Sequence, residues 1–321
     1  MIDYSKLLQG RKTWLVTGGA GFIGSHLVET LAAYDQYVVV LDDFSTGNLE
    51  NLKAAILATQ YASFRLIPGS ITDIEQCREA CKGVDYILHH AALASVPASM
   101  KEPAAYHETN TTGFMNILQA AKENGVKRVV YASSSAVYGD DDLMPKIESS
   151  IGKSLSPYAI TKYINELEAE FFTRVYGLEC VGLRYFNVFG KRQDPNGAYA
   201  AVIPKWIEAV KSGELPVIYG DGSATRDFCA VQNIVNANIL AALQPDISGK
   251  VFNIGCGVET SLKDLMLEIY EVFAPDRPVK FKEAAPREGD ILHSSASIEF
   301  ARELLKYEPV VYLREGLEAM K

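Results

Sequence analysis

Lys12-Thr13-Trp14-Leu15-Val16-Thr17-Gly18-Gly19-Ala20-Gly21-Phe22-Ile23-Gly24-Ser25-His26-Leu27 is the stretch that decides the fold. Trp14-Leu15-Val16 is a short apolar run suited to a buried strand. Gly18 to Gly24 supplies a turn, and Ser25 to Ala33 reads as a helix with Leu27, Val28 and Leu31 on its inner side. Strand, glycine-rich turn and helix together make a dinucleotide site. The glycines let backbone N–H groups approach a pyrophosphate, and the helix N-terminus adds partial positive charge. Gly18, Gly21, Phe22, Ile23 and Gly24 are the candidate contacts.

The spacing Gly18-x-x-Gly21-x-x-Gly24 resembles the short-chain dehydrogenase/reductase superfamily, in its extended branch. A glycine turn without a ligand is the plainer alternative. The strand before it and the helix after it argue for the nucleotide. The second strand, Tyr37-Val38-Val39-Val40-Leu41, ends at Asp42-Asp43, and Asp42 stands 18 residues after Gly24. A carboxylate at that distance accepts from ribose hydroxyls and repels a 2′-phosphate, which favours NAD over NADP. Phe44-Ser45-Thr46-Gly47 then resembles the family's loop beside the adenosine. Asp73, before Ile74, reads equally as an adenine contact and as a helix cap.

The bulk properties are those of an ordinary enzyme. The 321 residues are 48% hydrophobic and 22% charged, enough for one large core or two joined lobes. A net charge of −9 offers no electrostatic footprint for nucleic acid or an anionic membrane. No apolar run has transmembrane length and no signal-peptide core precedes the first strand. Five scattered cysteines suit reduced thiols and no metal site, so a cytoplasmic protein is expected.

The chemistry is carried further along. After Tyr86-Ile87-Leu88 come His89-His90-Ala91-Ala92, where small residues let the backbone pass close to a cofactor. The paired histidines read as packed rather than catalytic. Asn110 is expected to brace neighbouring backbone at the start of a helix reaching about Asn124. The strand Arg128–Tyr131 leads to Ser133-Ser134-Ser135-Ala136, and Ser156-Pro157-Tyr158-Ala159-Ile160-Thr161-Lys162 follows about two dozen residues later. Tyr158 and Lys162 are i and i+4 on one helix face. A free phenol with a pKa near ~10 is a poor base at pH 7. A neighbouring ammonium and the positive nicotinamide both favour the phenolate. A serine hydroxyl can relay the proton: Ser134 fits slightly better than Ser135, and Ser133 reads as structural beside the cofactor.

Arg184-Tyr185-Phe186-Asn187-Val188-Phe189-Gly190 closely resembles a segment of the sugar-nucleotide epimerases. The resemblance covers nearly the whole chain and is nearest to the UDP-hexose 4-epimerases, in particular those acting on N-acetylated sugars. It implies Tyr185 for NAD and Asn187 for the substrate diphosphate. It implies Ser95 and Tyr219 for the substrate, and Ala201, Val202, Lys205 and Trp206 for the uracil side. Arg226 and Arg287 would clamp the diphosphate, and Asp290 would hold the uridine ribose. A small residue at Ser294 leaves room for a 2-N-acetyl group. The implied reaction is transient oxidation at C4 and inversion through a 4-keto sugar. Dehydratases of this family carry Asp-Glu directly after the proton-relaying hydroxyl; Ser135-Ala136 stands there instead and argues against a dehydratase or a decarboxylase. A non-catalytic NAD sensor would tend to lose Tyr158 or Lys162.

The βα alternation predicts a doubly wound parallel Rossmann sheet with a smaller C-terminal α/β lobe. Residues 1–185 with about 226–250 are assigned to the NAD domain, and 186–225 with 251–321 to the UDP-sugar lobe. The family implies a homodimer in which the helices from Asn110 and Pro157 form a four-helix bundle.

Overall fold

Trp14 and Val16 point to one side of the first strand and Leu15 to the other, and each side meets its own apolar core. Alternation with period two is what a strand covered on both faces requires. The computed structural model describes residues 3–57, 64–195, 201–286 and 292–321. Its main sheet has seven strands: Thr13–Thr17 (β1), Tyr37–Asp42 (β2), Phe64–Pro68 (β3), Tyr86–His89 (β4), Arg128–Ser134 (β5), Glu179–Tyr185 (β6) and Val251–Ile254 (β7). Their order is β7-β6-β5-β4-β1-β2-β3, every pair parallel.

Helices Phe22–Ala33, Leu49–Leu57 and Val231–Leu243 cover one face, burying Leu27, Leu31, Leu52 and Ile234 against Trp14, Val38 and Val130. Helices Ile74–Ala80, Gly113–Glu123 and Pro157–Phe171 cover the other, burying Cys77, Phe114, Ile117 and Ala169 against Leu15, Ile87 and Val129. Each fully buried Leu or Ile contributes roughly 1.5–3 kcal/mol relative to exposure. The winding reverses between β1 and β4, where a crevice opens at the carboxyl ends of the strands and ligands bind in folds of this kind.

The smaller lobe has its own core. Ile203, Trp206 and Val210 of helix Val202–Ser212 pack on Leu265, Met266 and Ile269 of helix Leu262–Phe273. The lobe boundaries differ from the expected ones at two places. Val251–Ile254 lies not in the lobe but at the edge of the main sheet, beside β6. Arg226, where the NAD domain was expected to resume, lies instead in strand Thr225–Arg226, which pairs with Thr260–Ser261 and His293–Ser294 in a three-stranded lobe sheet. Neither pairing could be read from the strand sequences, because pairing depends on what lies alongside.

A second difference concerns Asn110. It does not begin a helix. It sits in a π-helical turn, Glu108–Thr112, between helices Pro103–His107 and Gly113–Glu123. The wider turn brings its amide to Leu93, where it accepts from the backbone N–H at 2.8 Å and donates to the carbonyl at 2.9 Å. The expected bracing role is thus performed from inside a longer helix.

The turn after β1 is a very close backbone approach. A Cβ on Gly24 would lie 2.1 Å from the Gly18 oxygen and 2.8 Å from the Gly19 Cα. Gly24→Ala is therefore expected to push helix Phe22–Ala33 off the turn, lowering both the melting temperature and the NAD that co-purifies. A variant with wild-type NAD content by absorbance after denaturation would show that the contact is not needed.

Candidate active site

The nucleotide end is built by the ends of β1, β2 and β4. Gly18 takes φ +66°, and a Cβ there would meet the Ala91 nitrogen at 2.6 Å, so only glycine fits without strain. Gly18, Gly21, Asp42, Asp43, Ser45, Thr46, Ala91 and Ala92 line one crevice. Asp42 is buried and braces the crevice walls. Its Oδ2 accepts from the Ala20 N–H at 2.8 Å and its Oδ1 from the Phe44 N–H at 2.8 Å. Burial raises its pKa, and the two N–H bonds oppose that rise. A carboxylate has about four acceptor positions, so two remain for a ribose diol. The glycine cradle and this acceptor fit a dinucleotide.

Other expected contacts stand differently. Asp73 caps helix Ile74–Ala80, accepting from the N–H groups of Glu75 at 2.9 Å and Gln76 at 3.3 Å. The capping alternative is the one realised in the protein itself. Ile74 packs on the core under that helix, and the crevice wall is made by Gly69 and Ile71. Leu93 and Thr109 also line it and were not singled out from the sequence. The one signal for Leu93 was Asn110, a polar residue in a helical run. Phe22, Ile23 and Gly47 belong to the same turn–helix and loop without lining the crevice; Phe44 holds its loop in a left-handed conformation, φ +59°.

The reactive end lies where helix Pro157–Phe171 crosses the end of β5. Ser156 caps the helix by accepting from the Ala159 N–H at 3.1 Å, and Pro157 occupies its first turn. Tyr158 and Lys162 are both buried, and the Lys162 Nζ lies 5.9 Å from the Tyr158 ring centre. The Lys162 ammonium donates to the Ala132 carbonyl at 2.9 Å. Ser134, not Ser135, hydrogen-bonds the phenol, and its Oγ also accepts from the Ala136 N–H at 3.1 Å. Ser135 begins a short 3₁₀ turn. Ser133 turns the other way, donating to Glu166 at 2.6 Å, so its hydroxyl is structural.

The expected electrostatics need one correction. In the polypeptide itself, burial dominates and holds the Tyr158 pKa above its usual value, while the Ser134 hydrogen bond works against that rise. The positive ring of a bound nicotinamide would supply further pull toward the phenolate. Burial also lowers Lys162 from the usual 10.5 to about 8. His89 bonds Thr17 Oγ1 at 2.8 Å and His90 bonds the Tyr185 hydroxyl at 2.8 Å. Burial keeps both rings neutral, His90 down to about 3. Tyr185 also accepts from the Asn238 amide at 2.8 Å, which fixes its hydroxyl beside the crevice.

On the lobe side, Asn187 donates to the Asp227 carbonyl at 3.2 Å. Arg226 turns a guanidinium nitrogen to the Thr225 and Leu292 carbonyls at 2.8 and 3.3 Å, and Ser294 pairs beside it. Ser95 caps the short helix Val96–Ser99. Ala201 caps helix Val202–Ser212, which carries Lys205, and Tyr219 is part-exposed at the end of a lobe strand. Trp206 is not presented to the site. Its position in the helix turns the ring into the lobe core, where its N–H donates to the Val217 carbonyl at 3.1 Å. Arg287 and Asp290 lie outside the described residues. Among the described residues no group of three His, Cys, Asp or Glu is placed to hold a metal ion, and no helix is long and apolar enough to cross a membrane.

The burden on Lys162 is measurable. Moving a lysine from 10.5 to about 8 corresponds to roughly 3 kcal/mol. Between those pH values the unfolded chain holds the extra proton, so stability rises with pH there; below about 8 the burden is present in full. Losing the bond to Ala132 returns about 1 kcal/mol. Cofactor-stripped Lys162→Met is therefore expected to be more stable than the parent at pH 7 by roughly 2 kcal/mol, with the gap closing toward pH 10. Urea unfolding at both pH values checks this; a less stable variant at pH 7 contradicts it.

Comparison with known proteins agrees with this geometry. Residues 14–255 match the model of the NAD dependent epimerase/dehydratase family. A UDP-glucose 4-epimerase of Mycolicibacterium smegmatis is 38% identical over 306 residues, covering 94% of this chain and 95% of that protein. The structure of a UDP-N-acetylglucosamine 4-epimerase from Methanobrevibacter ruminantium, in complex with UDP-N-acetylmuramic acid, superposes with a TM-score of 0.89 at 40% identity, covering 97% and 98%. A dTDP-glucose 4,6-dehydratase of Streptomyces venezuelae with NAD bound gives 0.85 at 32%, covering 96% and 95%. With the glycine cradle, the buried Asp42 and the Tyr158–Lys162 pair in place, the chain belongs to the NAD-dependent epimerase/dehydratase family, and NAD is its cofactor.

Proposed function

We propose that this enzyme inverts C4 of UDP-N-acetylhexosamines, interconverting UDP-N-acetylglucosamine and UDP-N-acetylgalactosamine, with UDP-glucose and UDP-galactose as weaker substrates. The observation that carries the reading is the reactive end itself. Tyr158 and Ser134 share a hydrogen bond above Lys162, and the residues after Ser134 are Ser135 and Ala136. There is a base for one hydroxyl, and neither of the two residues after Ser134 carries a carboxyl. Dehydration or decarboxylation would need further groups to remove a second proton or to handle a uronic acid.

NAD, when bound, accepts a hydride from the sugar C4 and returns it. The chain's own residues do the rest. Tyr158 takes the 4-hydroxyl proton, directly or through Ser134, and later gives it back. Lys162, fixed on the Ala132 carbonyl, keeps positive charge beside the phenol. Asn187 and Arg226, with Arg287 as the expected second guanidinium, would hold the diphosphate as a pivot while the 4-keto sugar turns over. Asp290 would hold the uridine ribose, and Ala201, Val202 and Lys205 the uracil. Ser294 sits next to Arg226 in the lobe sheet, so its small side chain borders the pivot.

A homodimer is part of the proposal. Ile160, Tyr163, Leu167 and Phe171 form an exposed apolar stripe along the catalytic helix. It borders a cleft of about 490 Å³ that also holds Met115, Leu167 and Tyr176. Four helices, two from each copy, would cover both features. All five cysteines are buried and unpaired, which suits a reducing cytoplasm.

Incubation of the purified protein with UDP-N-acetylglucosamine, followed by proton NMR, is expected to show UDP-N-acetylgalactosamine without added NAD. In Ser294→Tyr the N-acetylated substrate is expected to lose at least tenfold while UDP-glucose is spared; an unchanged ratio removes Ser294 from the account. No conversion of any UDP-hexose, even with NAD added, would replace the epimerase by a dehydratase, a decarboxylase or a non-catalytic NAD sensor. Leu167→Asp is expected to turn a dimer into monomers in sedimentation velocity, and a parent protein that sediments as a monomer refutes the bundle.

A further inference from the structure

Three consecutive residues at the end of β5 are each tied to a different turn of the catalytic helix. Ser134 meets Tyr158, the Ala132 carbonyl meets Lys162, and Ser133 meets Glu166. On the helix these are positions 158, 162 and 166, one face at intervals of four. Tyr158 and Lys162 belong to the reaction. Glu166 does not, yet it is the most firmly held of the three.

Glu166 and Arg184 form a buried ion pair, their side chains 6% and 3% exposed. Arg184 donates Nε to Glu166 Oε1 at 2.9 Å and a terminal nitrogen to Oε2 at 2.8 Å. Its other terminal nitrogen donates to the Tyr138 hydroxyl at 3.0 Å and the Glu148 carbonyl at 3.1 Å. Tyr138 in turn donates to Asn253 Oδ1 at 2.5 Å. The carboxylate is thereby fixed to β6 and, through Tyr138, to β7. Two buried charges cost desolvation that an apolar pair of similar volume avoids, so stability alone is a weak reason to keep them. Directional bonds define a position along an axis more sharply than apolar packing does. One residue of slip along a helix is 1.5 Å, and a misplacement of about 1 Å at a reacting group can cost on the order of 100-fold in rate.

We propose that Glu166 is a positioning residue: held by Arg184, it sets through Ser133 the register of the catalytic helix on β5, and so the meeting of Tyr158 with Ser134. The idea rests on the reading above that Tyr158 takes the substrate proton. Ser133→Ala removes the strand's bond to Glu166 and leaves the ion pair whole. Ser133→Thr keeps a hydroxyl.

The experiment compares the parent, Ser133→Ala and Ser133→Thr as NAD-loaded proteins in two ways. The first is steady-state kinetics on the UDP-hexose that the parent converts. The second is the titration of the Tyr158 phenol by NMR on carbon-13 tyrosine, with Tyr158→Phe picking its signal out of the 17 tyrosines. Ser133→Ala is expected to lose roughly 10- to 100-fold in kcat with KM within twofold, and to titrate its phenol at higher pH; Ser133→Thr is expected to restore both. A parent-like kcat and titration in Ser133→Ala overturns the proposal. So does a loss in which KM and melting temperature move with kcat while the phenol titrates as in the parent, since that is a merely structural role. If the parent converts no UDP-hexose, the epimerase reading fails, and the tyrosine titration still decides this one by the same criterion.

Discussion

The carbonyl of Gly18 stands where a side chain on Gly24 would begin, and the cofactor site depends on that contact. Without a Cβ at position 24, helix Phe22–Ala33 can lie against the turn that leaves β1, its N-terminus aimed into the crevice. Gly18 itself, left-handed and pressed on Ala91, brings the end of β4 to the same place. Asp42 closes the arrangement from β2 by gripping Ala20 on one side and Phe44 on the other. The nucleotide end is thus a backbone construction, with side chains used as braces.

The reactive end is built on the opposite principle. Its backbone is ordinary strand and helix, and its character comes from buried polar side chains. Tyr158, Lys162, Glu166, Arg184, His89 and Ser133 are all withdrawn from water. Such groups must be satisfied or they destabilise the fold. Each has a partner: Ser134, Ala132, Arg184 and Ser133, Tyr138, Thr17, and Glu166. The consequence is a set of side chains already held in place by protein partners, and such positioning is what proton transfer between two oxygens requires.

Much of this was legible in the sequence because it is local. The glycine spacing, the strand runs and the four-residue interval between Tyr158 and Lys162 are properties of short segments, and the structure places them as expected. What escaped was long-range. Val251–Ile254 reads as a strand in any context, and its place beside β6 depends on residues 69 positions away. Trp206 looked like a ligand contact until the lobe core was seen to need it. Ser134 could be preferred to Ser135 only slightly, because the difference lies in where β5 stops and the 3₁₀ turn begins. Asp73 could be a cap or a ligand contact on composition alone, and only its bonds to Glu75 and Gln76 decide what it does in the protein itself.

The charge states explain why the paired histidines are bystanders. Imidazole is the usual proton carrier near neutral pH, and His89 and His90 stand within the field of Lys162. Burial and that nearby ammonium push both pKa values down, His90 to about 3, so neither ring gains a proton at the pH where the enzyme works. A neutral ring with one nitrogen committed to Thr17 or Tyr185 can orient a neighbour but cannot serve as an acid. The same burial holds Tyr158 protonated in the polypeptide and lowers Lys162 toward neutrality. Tyr158, Lys162, His89 and His90 are therefore all biased toward their uncharged forms, while the Glu166–Arg184 ion pair beside them stays charged. Bound NAD, in its oxidised form, would supply a fixed positive charge that offsets that bias at Tyr158.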